Sequence, residues 1–510
     1  MKDSANRTKS QALAIYLFGL KTGMSQNIIA AYFDTDLSQQ NVSNYCNQIR
    51  QDLNKYFVTL NLGVKHMNRD HLCSRNSVFV KQFCENQENT KIALIGDATY
   101  LYCGKSSNNV FQRMSYSVQK GRSLVKPFIL CAPDGYIVDI YGLYPATWND
   151  ARIFEHIIET DVNLKKILIE GNIFIFDRGF RDVIDSLKTK YKFQVMMPCF
   201  LPKEQKQFTS HEANQSRLCT KIRWVIEAVN GMLKGSFRSL DIRVENKSLT
   251  HYLIDFRIAG VLLNRFHKRL VSDDKYALEM ATKMFENKDK SNELMEIVLE
   301  QRLNRKSQLK ELENLDEELV EFPKLSLECI NSKITFGLYQ LSHSLSYLAE
   351  NFKKHGKCQT SIYKDMTNIS YTNDSTKIVT AKIHSRHSAN REYRSYVAYY
   401  SCKETEINRY EFIKDWYCEC KNGARTLGSC CHVAAIIYFL SFARHESSSL
   451  KWPAQKLMSI FPDRLDETDF HTTEDEKLTK KKSYKKKEVK NINMIIQVLI
   501  TKTGIVPTRS

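Results

Sequence analysis

The spacing of apolar side chains changes along the chain and divides it into regions of different predicted structure. Residues 10–53 carry apolar side chains at helical spacing with a break at Gly23, and they predict three helices, the last of which begins near Ser38 and is mostly polar. Short, partly β-branched apolar runs follow at 92–95 and 173–176. Runs of this kind predict strands that are buried on both faces of a sheet.

The elements around these two runs predict one mixed domain. Two strands, at 126–132 and 136–144, follow the first run and are joined by a tight Pro133-Asp134-Gly135 turn. The later elements are a helix capped by Asn149, the strand at 173–176, a short helix at about 181–189, a strand at 193–198 and a long helix that carries residues 216–237. This β-β-β-α-β-α-β-α succession is the plan of a ribonuclease H-like α/β core.

Three acidic residues hold special positions in this order. Asp97 follows the first buried strand and Asp177 follows the fourth, while Glu227 lies on the long helix and shares a face with Arg223 and Lys234. Taken alone, Asp97 is typical of a turn cap and the Glu227 face of a solvated helix surface. The repeated placement of an acid at a strand end favours a common site.

Three carboxylates on rigid elements are suited to phosphodiester chemistry. Two divalent ions about 4 Å apart can activate the attacking oxygen and stabilise the leaving oxygen. Mg²⁺ or Mn²⁺ prefers carboxylate oxygens, so a few acids suffice as ligands. We expect Asp97 to bridge the two ions, with Asp177 and Glu227 each binding mainly one.

The charge balance and the N-terminal helices indicate a nucleic-acid partner. The 510 residues include 75 Lys and Arg against 57 Asp and Glu, which gives a net charge of +18 and a pI of about 9.1. Such a balance favours a polyanionic partner, although ribosomal and membrane-surface proteins share it. The three N-terminal helices have the layout of a helix-turn-helix, or equally of a three-helix bundle with a solvated polar face. In the first case four side chains of the last helix would contact base edges in double-stranded DNA: Gln39, Gln40, Asn41 and Asn44.

Four stretches of the sequence carry a resemblance to a known family. The motifs IGDATY, IFDRGF and RWVIEAVNGMLKGSF, with the intervening residues 111–154, resemble the DDE superfamily endonucleases of eukaryotic DNA transposons, in the PIF/Harbinger-like branch. The resemblance covers residues 91–268 and the helix-turn-helix before them. It implies the catalytic triad Asp97, Asp177 and Glu227, and it makes Arg223 and Lys234 candidates for orienting Glu227 and contacting DNA phosphates.

Two other positions bear on the resemblance. Ala98 stands where many relatives have glycine, which we expect to be tolerated because the preceding acid is retained. Asp150 matches an acid that the family places at the start of a helix. We interpret it as structural, because an acid in the first turn is favoured by the helix dipole, and a role in the site is the lesser alternative.

A second metal-binding pattern lies near the C-terminus. Two predicted strands, at 377–384 and 394–400, precede a C-x-C, x9, C-x-H arrangement made by Cys418, Cys420, Cys430 and His432. That spacing can surround one tetrahedral Zn²⁺, with Cys431 as an alternative to its neighbour. The pattern is similar to the SWIM zinc finger, and it has no open ligand position for a catalytic zinc.

The remaining features concern the location of the protein in the cell. The N-terminus has no apolar segment of the secretory type, and no run approaches the length of a membrane span, so we expect no membrane association and a reducing compartment. The basic run at 477–490 predicts a nuclear localisation signal or a nonspecific phosphate contact. We therefore expect a nuclear protein.

These patterns together predict an α/β protein of several parts. The predicted domains are a helix-turn-helix at 1–60, a ribonuclease H-like DDE core at 88–270, a helical spacer at 271–355, a small α+β zinc module at 375–445 and a basic tail at 470–510. The predicted function is a DNA transposase acting as a homo-oligomer on transposon ends and target DNA, with a second DNA-binding protein as an optional accessory. The alternatives are a noncatalytic DNA-binding protein derived from a transposase, and a protein-interaction adaptor built on the zinc module.

Overall fold

The computed structural model of the protein describes most of the chain up to residue 446. The described residues are 7–33, 36–270, 276–303, 305, 309–312, 315–348, 360–363, 376–386, 388, 390–402 and 407–446. The predicted basic tail at 470–510, with its run at 477–490, lies outside them. None of the helices in these ranges combines the length and apolarity needed to cross a bilayer.

The N-terminal region contains the three predicted helices and three shorter ones. They are α1 (Lys9–Thr22), α2 (Gln26–Phe33), α3 (Gln39–Leu53), α4 (Thr59–Asn61), α5 (Arg69–Cys73) and α6 (Val78–Phe83). Helix α1 ends at Gly23, whose φ of 67° lies in the left-handed region that favours glycine. Helix α3 begins after Ser38, whose hydroxyl accepts a hydrogen bond from the main-chain N–H of Asn41.

The middle of the chain forms a mixed sheet. Its strands are β1 (Ala93–Ala98), β2 (Leu101–Tyr102), β3 (Tyr116–Ser117), β4 (Arg122–Cys131), β5 (Ile137–Pro145), β6 (Ile173–Ile175) and β7 (Gln194–Met196). The five main strands have the order β5-β4-β1-β6-β7, with β4 antiparallel to its neighbours and β1, β6 and β7 parallel. This mixed α/β order agrees with the ribonuclease H-like plan.

Strand β1 differs from its prediction in one informative way. The sequence predicts that it stops at Gly96, but it continues through Gly96 and Asp97, which pair with residues of β4. A Cβ atom at Gly96 would lie 2.8 Å from Cζ of Phe128 and 3.1 Å from Cε1 of Phe176. The glycine is therefore needed for aromatic rings to close over the strand, and Asp97 is held inside the sheet rather than in a turn.

Helices surround this sheet. They are α7 (Asn109–Ser115), α8 (Asp150–Thr160), α9 (Val162–Ile167), α10 (Ile184–Thr189), α11 (Ser210–Ser236) and α12 (Leu249–Phe266). Asn149 caps α8 as predicted, since its side chain accepts a hydrogen bond from the N–H of Arg152. Helix α11 begins with a capping box between Thr209 and Glu212.

The N-terminal helices are fixed to the core by a buried polar contact. Asp255 on α12 accepts hydrogen bonds from the Tyr16 hydroxyl at 2.6 Å and from Nε of Arg50 at 2.7 Å. Burial, followed by the charge of Asp255, raises the pKa of Tyr16. Because a buried charge without its partners is costly, this contact favours one orientation of the helices on the core.

The C-terminal part contains a second sheet and its covering helices. The helices are α13 (Ala277–Glu286), α14 (Glu293–Glu300), α15 (Leu315–Glu318), α16 (Leu327–Cys329), α17 (Leu338–Leu348) and α18 (Cys431–Tyr438). The strands are β8 (Leu309–Glu311), β9 (Thr360–Tyr363), β10 (Thr376–His384), β11 (Glu392–Tyr400) and β12 (Ile413–Cys418). They form an antiparallel sheet in the order β12-β11-β10-β9-β8. Part of the predicted spacer therefore contributes a strand to this sheet.

Candidate active site and metal centre

Three carboxylates meet at one edge of the mixed sheet. Asp97 lies near the end of β1, and Asp177 directly follows the residue after the parallel strand β6. Because the carboxyl ends of neighbouring parallel strands share one edge, these two side chains come close together. Asp150, the first residue of α8, reaches the same place from the helix side.

The electrostatics of these groups show their proximity. Burial, and then the charges of Asp177 and Asp150, raise the pKa of Asp97 to about 7. Burial also raises the pKa of Asp150 and that of Tyr100, and the charge of Asp177 adds to both shifts. Three carboxylates thus crowd into one region of low polarity, where a positive charge would be favoured.

A side-chain amide and a main-chain N–H group hold two of the carboxylates in place. Nδ2 of Asn230 on α11 donates a hydrogen bond of 3.1 Å to Oδ2 of Asp97. The main-chain N–H of Gly179 donates a hydrogen bond of 2.7 Å to Oδ1 of Asp177. Each carboxylate is therefore held by a contact from a different part of the chain.

Glu227, the third predicted acid, stands apart from this group. It is paired with Arg223 one turn earlier on α11, and its side chain is 60% exposed. Lys234 donates from Nζ to the main-chain oxygen of Tyr100 at 2.8 Å and lies 3.7 Å from Asp241. Among the described residues, neither the three predicted acids nor the group of Asp97, Asp150 and Asp177 has oxygen atoms that all lie within 4.8 Å of one another.

One family model matches the segment that contains these acids. Residues 96–264 match the family model of the DDE superfamily endonuclease. The matched segment runs from β1 to α12 and contains Asp97, Asp150, Asp177 and Glu227.

Solved transposase structures are also similar to the chain. The cryo-EM structure of the piggyBac transposase synaptic complex with hairpin DNA has 10% identity and a TM-score of 0.29, with 68% of this chain and 84% of that chain covered. The crystal structure of the Mos1 mariner paired end complex with Mn has 14% identity and a TM-score of 0.19, with 57% of this chain and 81% of that chain covered. Among curated proteins no match is found.

The amide side chains that are predicted to bind DNA lie on α3, outside the segment 96–264 that matches the DDE superfamily endonuclease. The four predicted DNA-binding residues on α3 are all exposed: Gln39, Gln40, Asn41 and Asn44. Gln40 donates to Oδ1 of Asn44 at 3.1 Å, and Gln39 donates to Gln26 on α2. The opposite face of α3 is buried, so the amides point to solvent.

A closed cluster of sulfur and nitrogen atoms forms the second candidate site. Cys418, Cys420, Cys430 and His432 are buried, and their ligand atoms all lie within 4.8 Å of one another. Nδ1 of His432 lies 3.7 Å from Sγ of Cys418 and 3.9 Å from Sγ of Cys430. Cys431 is the first residue of α18 and is not a member of the group. The four side chains can hold a metal ion.

The backbone around the cluster donates hydrogen bonds to two of the sulfur atoms. Sγ of Cys418 accepts a hydrogen bond from the N–H of Cys420, and Sγ of Cys430 accepts one from the N–H of Val433, both at 3.4 Å. A Cβ atom at Gly423 would lie 1.9 Å from the carbonyl oxygen of Cys418, so only glycine fits there.

Two side chains of the DDE endonuclease segment, Gln207 and Asn214, make hydrogen bonds to the backbone of the cluster loop, and we call these contacts the brace. Nε2 of Gln207, just before α11, donates to the carbonyl oxygens of Cys418 and Cys420 at 2.6 and 2.7 Å. Asn214 on α11 is fully buried, and its Oδ1 accepts from the N–H of Thr426 at 2.9 Å and from that of Leu427 at 3.2 Å. The same helix therefore carries Glu227 near one end and contacts the cluster loop near the other.

Sequence reasoning missed two features of the acidic site. Lys126 in β4 is buried and contacts Asp150, and Asn230 contacts Asp97. The signal for Lys126 is a lysine at the start of a predicted strand whose other residues are apolar, since a buried lysine is rare unless its charge has a partner. Asn230 shares a predicted helix face with Glu227, but that pattern alone does not distinguish a site from a solvated surface.

Proposed function

We propose that the chain is a DNA transposase, or an endonuclease derived from one, that cuts phosphodiester bonds with Asp97, Asp177 and Glu227. One observation carries the proposal: crowded carboxylates lie at the strand ends of a segment that matches the DDE superfamily endonuclease. Carboxylates forced together in this way are characteristic of sites that work with bound cations.

The donor set fits Mg²⁺ or Mn²⁺. Asp97 and Asp177 offer hard oxygen atoms, and a bound divalent cation would offset the burial and the neighbouring negative charges that together raise the pKa of Asp97. When bound, such ions activate a water or hydroxyl oxygen and stabilise the leaving oxygen.

The chain's own residues prepare the site in three ways. Asn230 donates a hydrogen bond to one oxygen of Asp97 and so helps to fix the orientation of this carboxylate. Arg223, whose charge acts on Asp97 and which pairs with Glu227, restrains that exposed acid near the site. Lys234 supports the turn after β1 through its bond to Tyr100 and stays a candidate for contacting the DNA backbone.

The exposed amides of α3 support a role in recognition of double-stranded DNA. In our proposal the N-terminal helices are a helix-turn-helix, and Gln39, Gln40, Asn41 and Asn44 contact base edges in the major groove at transposon ends. The buried contact between Asp255 and the N-terminal helices would hold these DNA-binding helices at a fixed distance from the acidic site.

The Cys/His cluster supports a structural Zn²⁺ site of the SWIM type. Its three sulfur atoms and one nitrogen atom match the soft donor set that zinc prefers, and all four are enclosed. We assign Cys430 rather than Cys431 as the third cysteine ligand.

Two further parts of the proposal concern assembly and location. Cutting both ends of a transposon requires two active sites, so we propose a homo-oligomer on DNA, acting on transposon ends and a target, with a second DNA-binding protein as an optional partner. The positive net charge supports DNA binding and a nuclear location.

Cleavage of DNA carrying candidate transposon ends tests the proposed function. With Mg²⁺ or Mn²⁺ the intact protein should cut, and Asp97→Ala, Asp177→Ala and Glu227→Ala should each lower the rate by about 10³-fold or more. Asp185→Ala, an exposed acid on α10, is the matched control and should cut normally. Binding without any nicking would favour the noncatalytic DNA-binding protein, and full activity of one variant would remove that acid from the triad.

A further inference from the structure

We propose that Asp150 is a further metal-binding carboxylate of the endonuclease site and that the buried Lys126 positions it. The inference rests on the proposed function, because it concerns the same cations. It goes beyond the triad, and it gives Asp150 a role in the site in place of the structural role that the sequence favoured.

The first support is the way in which Asp150 is anchored. Nζ of Lys126 lies 3.1 Å from Oδ1 of Asp150 and 2.8 Å from the carbonyl oxygen of Trp148, and the lysine is only 9% exposed. A buried lysine is costly unless paired, so the ammonium holds this oxygen of Asp150 in one position. Metal-binding carboxylates are commonly oriented by such a hydrogen bond to one oxygen.

The second support is the position of the other oxygen. Oδ2 of Asp150 lies 3.4 Å from the point that a Cβ atom on Gly179 would occupy, and Oδ1 of Asp177 lies 3.0 Å from the same point. The two carboxylates thus border one small space that the glycine leaves open. Oδ2 of Asp150 therefore faces this space beside Asp177, a predicted metal ligand, while Lys126 contacts Oδ1.

The third support is the contrast with Glu227. The side chain of Asp150 is 17% exposed and that of Glu227 is 60% exposed. Asp150 is held by a lysine from another strand, whereas Glu227 is paired with the neighbouring turn of its own helix. Asp150 is therefore prepared in place, while Glu227 must move or be drawn in when a cation binds.

The alternative is that Asp150 serves only as the partner of Lys126 and as a first-turn acid of α8. Both roles affect folding stability, but only the proposed role affects cation binding. Binding of Mn²⁺, followed by electron paramagnetic resonance, separates the two without relying on DNA cleavage.

The experiment titrates Mn²⁺ into the full chain and into Asp150→Asn, with Asp185→Asn as the control. We expect Asp150→Asn to bind Mn²⁺ at the endonuclease site at least about tenfold more weakly, as is typical when a ligand or its support is lost. The double variant Lys126→Met, Asp150→Asn removes both charges, so it leaves no unpaired ammonium and protects the fold. It should show the same weak binding.

Three outcomes decide the question. Wild-type affinity in Asp150→Asn or in the double variant would overturn the inference, and so would a full chain that binds no Mn²⁺. A tenfold loss in a protein that never cuts DNA would support the inference while overturning the proposed function. Asp150→Cys adds a second readout: cleavage restored by Mn²⁺ but not by Mg²⁺ supports a ligand, because thiolate accepts the softer ion, and equal cleavage with both ions opposes it.

Discussion

The acidic site and the Cys/His cluster are prepared for metal ions to very different degrees. In the cluster four buried ligand atoms already lie within 4.8 Å of one another. In the acidic site the carboxylates come from β1, α8, α11 and the residues after β6. Burial, and then the charges of Asp177 and Asp150, raise the pKa of Asp97 to about 7. One site is closed and assembled, and the other is open and strained by charge.

This difference follows from what each site does in our proposal. A structural ion needs a complete set of ligands and no access to substrate. A catalytic ion needs open positions for a phosphate and for water, so its ligands must stay spread and partly exposed. Helix α11 links the two sites, because it carries Glu227 and also Asn214, which contacts the cluster loop.

Loss of the cluster's metal should produce the largest effect on stability. A chelator, or Cys418→Ser, should lower the free energy of unfolding by about 5 kcal/mol or more, because binding energy at such sites is folding energy. Thermal unfolding followed by circular dichroism measures the change. Cys431→Ser is the matched control and should stay close to wild type, whereas an equal loss in this variant would put Cys431 in the ligand set.

Neutralising Asp97 should raise the free energy of unfolding, and the gain should depend strongly on pH. The unfolded chain releases this proton near the usual Asp pKa of 3.8 and the folded chain near 7, so the carboxyl increasingly destabilises the fold as the pH rises between these values. Asp97→Asn should therefore be more stable than wild type above pH 7, by on the order of 3 kcal/mol, and equally stable near pH 4.

Unfolding of Asp97→Asn at several pH values, with and without Mn²⁺, checks this prediction. Added Mn²⁺ should stabilise the wild type and close the gap between the two proteins. A variant less stable than wild type at pH 8 would show that the crowding of carboxylates costs little.

The brace between the two regions should contribute less than either site. Asn214→Ala leaves the N–H groups of Thr426 and Leu427 without a partner in a buried place, at a cost of about 2 kcal/mol. Gln215→Ala, the next position on α11, is the control and should change little. If cooperative unfolding of the Asn214→Ala protein split into two transitions, the brace would be shown to couple the modules.

Glu227→Gln should have the smallest effect on stability. Its exposed pair with Arg223 contributes at most about 0.5 kcal/mol, while we expect DNA cleavage to be lost. Chemical denaturation and the cleavage assay, applied to the same preparation, separate the two quantities. A large loss of stability would mean that Glu227 is a structural residue.

Local features of both sites could be predicted from the sequence. The apolar runs predicted β1 and β6, Asn149 predicted the start of α8, and the C-x-C, x9, C-x-H spacing predicted a group that the structure brings together. Each depends on residues that are near one another in the chain, where periodicity and capping operate.

Contacts between distant segments could not be predicted in the same way. The continuation of β1 through Gly96 depends on rings from β4 and from the end of β6, and the anchoring of Asp150 depends on Lys126 in another strand. The brace joins Asn214 to a loop more than two hundred residues later. Such contacts depend on how the helices and strands pack together, and the periodic spacing of apolar residues along the chain does not predict them.

X-ray anomalous scattering from a crystal grown with Mn²⁺ tests the contrast between the two sites most directly. Data recorded around the zinc and manganese absorption edges identify each ion by element and position. We predict zinc among Cys418, Cys420, Cys430 and His432, and manganese beside Asp97 and Asp177. Manganese absent from the acids, or one element shared by both sites, would contradict the division into a closed structural site and an open catalytic site.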